Sequence, residues 1–144
     1  LSTNAADYKS FLKINRPKYD DSWKRWNKTL DMLSKLDTRT VLRITLIKNW
    51  NDSKEMIPSF TEIFDKSNPH FIEIKSYMHI GKSTNRLEHE NMLEMDEVRS
   101  FASGVVEYSN RFSVMDESQI SRIVILQNKE RFTDRYLSAY LETN

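Results

Sequence analysis

A chain of 144 residues with 38% hydrophobic and 30% charged side chains has the size and composition of one modest globular domain. Its 22 Lys and Arg nearly balance 21 Asp and Glu, so no overall positive field argues for nucleic acid and any RNA contact must come from local patches. The absence of cysteine excludes a disulfide framework, a thiolate metal site and a cysteine nucleophile within the chain. The lack of a long apolar run or a basic-then-apolar leader leads to an expectation of a cytoplasmic protein without a membrane span.

The chain opens at Leu1-Ser2-Thr3-Asn4, which reads as a strand tip, an abrupt start expected of a fragment or of one half of a split enzyme. From about Ser22 to Leu36, Trp23, Trp26, Leu30 and Leu33 recur at the spacing of one helical face. The two tryptophans are thereby expected in the core, with Lys24, Arg25 and Lys28 on the solvated side. Thr40 to Lys48 is rich in β-branched and aliphatic residues and predicts a strand. A second helix is expected from about Ser53 to Phe64, with Met56, Phe60, Ile63 and Phe64 inward and Pro58 in its first turn, where proline is tolerated. After the Asn68-Pro69 turn, Phe71 to Met78 predicts another strand. A third helix is expected from Asp96 to Tyr108, with Val98, Phe101, Val105 and Tyr108 on one side. Arg122 to Leu126 reads as a short strand and Phe132 to Leu141 as a closing helix. No repeat or linker divides the chain, so residues 1–144 are expected to form a single domain.

Strands alternating with helices suggest parallel βα units and an α/β architecture. Both longer strands are two-faced. Arg43 and Thr45 alternate with Leu42, Ile44 and Leu46, and Glu73 and Lys75 alternate with Ile72 and Ile74. A strand buried on both sides of an open sheet would be apolar on both faces. The pattern instead fits part of a (β/α) barrel, with helices outside and a polar lumen. The alternative is an antiparallel sheet with one face in water.

The order of several segments resembles the 4-demethylwyosine synthases, radical-SAM enzymes of tRNA modification. Leu1-Ser2-Thr3-Asn4-Ala5 and Lys13-Ile14-Asn15-Arg16-Pro17 resemble a strand ending Ser-x-Asp-Ala followed by Lys-Ile-Asp-Arg-Pro. Ser22-Trp23-Lys24-Arg25 resembles Phe-Trp-x-Arg, and Thr40 to Lys48 resembles Thr-x-x-Arg-x-Thr-Leu-x-Lys. The most specific block is Phe71-Ile72-Glu73-Ile74-Lys75-Ser76-Tyr77-Met78-His79-Ile80-Gly81, continuing through Ser83-Thr84-Asn85-Arg86-Leu87 to Asn91-Met92. The departures are Asn4 and Asn15 in place of Asp, Leu93 and Met95 where the family commonly has Pro and His, and the missing CxxxCxxC motif.

The resemblance implies the C-terminal half of a partial radical-SAM TIM-like barrel. It implies S-adenosylmethionine and a 4Fe-4S cluster as cofactors, the cluster ligands being absent from this chain. The reaction implied is the condensation of pyruvate-derived carbons with N1-methylguanosine in tRNA for phenylalanine, in partnership with an N-terminal half that carries the cysteines. Lys75 is the candidate catalytic residue, forming a Schiff base with pyruvate or holding its carboxylate; a structural ion pair with Glu73 or a strand neighbour is the alternative. Ser2, Asn4, Arg43 and Thr45 are candidates for the cofactor, Arg43 through paired donors to a carboxylate or, equally, as half of a lumen salt bridge. Tyr77 and His79 at the strand end, and Asn85 and Arg86 in the following loop, are candidates for the modified base and tRNA phosphate. Lys82 belongs to the same basic loop. No metal-ligand set is expected. A non-catalytic barrel half that binds tRNA or a protein partner is the competing function; chance similarity in an unrelated α/β protein is a third.

Overall fold

In a computed structural model, which describes residues 1–131 and 133, the elements run α1 (Tyr8–Asn15), α2 (Ser22–Leu33), β1 (Val41–Leu46), α3 (Ile57–Ser67), β2 (Phe71–Ser76), α4 (Met95–Tyr108), β3 (Phe112–Ser118) and β4 (Ile123–Asn128). The helix expected over 132–141 lies outside the described residues.

The strands form one open sheet in the order β1-β2-β4-β3. β1 and β2 are parallel, in register from Val41 opposite Phe71 to Leu46 opposite Ser76. A parallel bridge from Ser2 to Arg43 adds the expected strand tip beside β1. The expectation of parallel strands throughout is corrected in the second half: β4 runs antiparallel to β2, and β3 antiparallel to β4. Only Gln119 to Arg122 separate β3 from β4, too few for a helical crossover, so the pair closes as a hairpin.

Each helix begins or ends where local chemistry dictates. The Asp7 side chain accepts the Ser10 N–H and Ser10 returns a bond to the Asp7 N–H, which starts α1 with a capping box. Pro58 lies in the first turn of α3, and Asn68 ends that helix in the left-handed region at φ 44° with its N–H on Phe64. Glu94 and Glu97 form the capping box of α4. Helices cover one sheet face. Leu42, Ile44, Leu46, Ile72, Ile74, Val124 and Leu126 pack with Leu30, Phe60, Phe64, Val98, Phe101 and Val105 in the main core. Phe60 meets Phe101 edge-on at 5.8 Å between ring centroids. Tyr108, expected on the inward side of α4, is instead 60% exposed at the last residue of the helix. The other sheet face carries the alternating polar residues Arg43, Thr45, Glu73 and Lys75, with Ile123 and Ile125 opposite them on β4. Among the described residues no helix is long and apolar enough to cross a membrane.

Candidate functional site

Two parallel strands place their C-terminal ends side by side, and side chains at i and i+2 on one face stand in a row. Here that row is Glu73 and Lys75, beside Arg43 and Thr45, with Tyr77 just past the end of the strand. Arg43 donates from Nε and Nη2 to the two Glu73 carboxylate oxygens, both at 2.9 Å. This bidentate bond to Glu73 raises the Arg43 pKa further, against a small opposing effect of burial. Glu73 is thus occupied by Arg43 and not by Lys75. Half-buried Lys75 has no ion-pair partner among the described residues, and its strand neighbours across the sheet are Thr45 and Ile123.

Beyond Lys75 the backbone leaves the sheet at Tyr77, whose N–H still reaches the Leu46 carbonyl at 2.7 Å. The Tyr77 ring is buried with Ile14, Ile47 and Leu87 in a second small core. Its hydroxyl lies 3.1 Å from His79 Nδ1, and the His79 ring meets His89 edge-on at 6.1 Å. The buried Ser76 hydroxyl accepts the Leu93 N–H at 2.8 Å and donates to the Tyr77 carbonyl, which folds the chain after β2 back over the strand ends. Arg86 comes from that returning loop and donates to the carbonyls of Lys13 and Ile14 at 3.1–3.4 Å. Its guanidinium therefore satisfies the open C-terminal carbonyls of α1, a favourable place for a cation. Asn85 is exposed at the end of a short 3-10 turn, Gly81–Asn85.

The N-terminal candidates sit at the same sheet end but face the backbone. Asn4 Oδ1 accepts the Thr45 N–H at 2.9 Å, and Ser2 is exposed beside Arg43. The structure thus gathers Lys75, Arg43, Thr45, Ser2, Asn4, Tyr77 and His79 around the ends of β1 and β2, and separates Asn85 and Arg86 along the loop. One residue that sequence reasoning missed is Asn51. Fully buried, it donates to the carbonyls of Asn4 and Thr45 at 2.8 and 2.9 Å and accepts the Ile47 N–H at 2.6 Å. Its only signal was its place in the turn-forming run Asn49-Trp50-Asn51-Asp52. A second missed feature is the Lys13 ammonium, 4.1 Å above the centre of the Trp50 ring.

Residues 66–128 match the family described as wyosine base formation. Over 131 residues the chain is 40% identical to the S-adenosyl-L-methionine-dependent tRNA 4-demethylwyosine synthase of Methanocaldococcus jannaschii, covering 91% of this chain and 40% of that protein. The chain is a homologue of the 4-demethylwyosine synthases. It corresponds to their C-terminal part. The synthase of Pyrococcus abyssi is 34% identical over 131 residues, of which the chain spans 37%, and that of Arabidopsis thaliana 34% over 134 residues, of which it spans 20%. Among solved structures, TYW1 with a lysine-pyruvate adduct bound superposes with a TM-score of 0.79 at 36% identity, covering 91% of this chain and 40% of that one. An archaeal TYW1 crystal structure gives 0.71 at 32%, with 91% and 39% coverage. The homologue therefore spans about two fifths of the archaeal synthases it matches, and its open mixed sheet corresponds to a portion of their fold.

Proposed function

We propose that this chain supplies substrate contacts to a tRNA-modifying site that builds 4-demethylwyosine from N1-methylguanosine and pyruvate. It does so as the C-terminal portion of a barrel completed by a cluster-bearing N-terminal half. The observation that carries the reading is the coincidence of family resemblance with geometry: the family match over residues 66–128 includes the strand that carries Lys75 on the polar sheet face and leads, at its end, into Tyr77 and His79. A relative whose structure holds a lysine-pyruvate adduct adds support for pyruvate as substrate.

The donor set of this chain does not fit a 4Fe-4S cluster, since it contains no cysteine. The cluster and the reductive chemistry it supports belong to the partner half. The residues toward S-adenosylmethionine are Ser2, Asn4, Arg43 and Thr45. With Asn4 Oδ1 and two of the three Arg43 nitrogens already engaged, the groups left to offer are the Asn4 amide N–H2, Arg43 Nη1 and the hydroxyls of Ser2 and Thr45. When bound, the cofactor supplies the radical that starts the reaction. The pairing of Arg43 with Glu73 leaves the Lys75 ammonium as the cation free to meet pyruvate, and its position on an uncovered face favours a charged contact to the carboxylate. A Schiff base at Lys75 would require the partner half to desolvate it. Tyr77 and His79 are proposed to meet the modified base at the strand end, and Asn85 the tRNA loop. Arg86 is proposed to act on tRNA through the loop that it fastens to α1.

The zero cysteine count is also what favours the second reading, a non-catalytic half that retains only RNA or partner binding. Reconstitution separates the two. The chain is mixed with a cluster-bearing N-terminal half, SAM, reductant, pyruvate and methylated tRNA, and both 5'-deoxyadenosine and the tricyclic base are measured. The catalytic reading expects both products, with Lys75→Ala lowering base formation about 100-fold or more, the scale on which a single charge-stabilising contact acts. Borohydride treatment should leave pyruvate label off Lys75. Labelling of Lys75 would establish the Schiff base instead, and failure to form either product with a competent partner half would leave the binding reading.

A further inference from the structure

Charge is evenly balanced over the whole chain but not over its surface. Between Tyr8 and Lys28 lie seven of the 22 Lys and Arg but only two of the 21 Asp and Glu, so the rest of the molecule is net acidic. All seven cations, Lys9, Lys13, Arg16, Lys18, Lys24, Arg25 and Lys28, are exposed.

The fold joins them into one surface. Phe11 of α1 packs edge-on against Trp23 at 5.1 Å, Trp23 stacks on Trp26 at 5.0 Å, and these rings hold α1 against α2. Elsewhere six cations, Arg43, Lys48, Lys66, Arg99, Arg111 and Arg122, each meet a carboxylate within 4 Å. In the α1–α2 surface only Arg25 does so among the described residues, through Asp21 at 2.8 Å. Lys13 and Lys18 lie over the rings of Trp50 and Tyr19 instead, contacts that order an ammonium without cancelling its charge.

The surface also leads somewhere. Arg86 binds the carbonyl end of α1, which brings the loop bearing exposed Lys82 alongside it. Trp50, beneath Lys13, packs on the small core that contains Tyr77 at the end of β2. We propose that the outer side of α1 and α2 is a docking surface for RNA phosphates, continuous with the strand-end site and holding the body of the RNA while its modified base enters there. This rests on the proposed function and adds where the RNA lies.

A polyanion of this kind fits better than a lipid surface. A membrane-seated helix needs an exposed apolar face, and here the large rings of the helix pair turn onto each other. The exposed large apolar side chains of the pair are Tyr8, Leu12, Tyr19 and Met32, and Tyr19, 57% accessible, lies beside Lys18 and Arg25, an arrangement suited to phosphate with a stacked base.

The test is a salt titration of binding between the full chain and an unmodified transcript of tRNA for phenylalanine. Each lost phosphate contact lowers the slope of log K against log salt by about 0.7–0.9. Lys24→Ala/Lys28→Ala should therefore lower it by about 1.5 and weaken binding about 10-fold or more at 0.1 M salt. Lys9→Ala/Lys18→Ala should act similarly, and Lys54→Ala, an exposed cation outside the surface, should change neither quantity. Circular dichroism confirms that each variant is folded. If the wild-type chain binds and both double variants match it in slope and affinity, the surface assignment is overturned while the proposed function stands. If it ignores RNA at low salt but adsorbs to phosphatidylserine vesicles, or binds neither, RNA docking is likewise overturned. The SAM-cleavage assay, which does not depend on this surface, then judges the function separately.

Discussion

Asn51 shows how much a single buried amide can hold. Its donors serve the carbonyls of Asn4 and Thr45 and its acceptor the Ile47 N–H, so the N-terminal segment, β1 and the turn after it share one side chain. Truncation leaves three buried backbone groups without partners, and such groups cost about 1–3 kcal/mol each where water does not reach them. Asn51→Ala should lower the free energy of unfolding by about 3 kcal/mol or more, read as a fall in urea midpoint at unchanged slope. A drop under about 0.5 kcal/mol would mean that water replaces the amide. The same network explains why Asn at position 4 keeps the strand joined: the bond needs only an acceptor, which Asn and Asp both provide. Sequence reading found Asn4 through the family pattern and took it as a contact to the cofactor. It could not see that the Thr45 N–H already uses the oxygen, because that contact spans 41 positions of chain.

Elements were legible where one face is buried and obscure where it is not. α2, α3 and α4, and the strands β1, β2 and β4, all repeat apolar residues at the period of their structure, and each was located to within a few residues. α1 was missed because eight residues offer only Phe11 and Ile14 as buried apolar positions; its start is written in the Asp7 and Ser10 cap. β3 was missed because it is an edge strand with exposed Val114, Asp116 and Glu117 and a register shift between Val114 and Asp116, which breaks the alternation a strand reading needs. The close pairing of α3 with α4 rests on Gly104, where an added Cβ would stand 2.5 Å from Ile57 Cδ1. That atom ends a flexible side chain, and alanine in a helix gains about 1 kcal/mol over glycine. Gly104→Ala should therefore change stability by less than about 1 kcal/mol, whereas Gly104→Leu, which cannot be cleared by one rotamer change, should cost about 1–3 kcal/mol. Thermal melts of the pair would show it. A Leu variant as stable as the parent would mean that the helices separate freely.

At the scale of the molecule, the alternation of Arg43, Thr45, Glu73 and Lys75 with aliphatic residues correctly indicated one covered and one polar face. It could not indicate strand direction, which the four-residue connection before β4 determines. The sheet's opposite end, away from the candidate site, is fastened by His70, which gives whole-molecule stability a dependence on pH. Thr40 donates its N–H to His70 Nδ1 at 3.2 Å, and Asn128 of β4 donates to the His70 carbonyl at 2.9 Å. Burial, followed by the charges of Arg131 and Arg39, holds the imidazole pKa below its ordinary 6.5. The unfolded chain therefore binds this proton more readily than the folded one. The stabilisation is fully present above pH 6.5 and is lost as pH falls through the lowered folded value. Glu97 and Glu117, also lowered, by bonds to Lys48 and Arg99, lose their contributions only below the ordinary carboxylate value of 4.5. Between pH 7.5 and 5.5 the fall in urea midpoint should thus come largely from His70, since a protonated Nδ1 can no longer accept the Thr40 N–H. His70→Asn, whose amide oxygen accepts at either pH, should flatten that fall. An equally steep fall in the variant would assign the titration to another group and return His70 to a purely steric role at the junction of β1, β2 and β4.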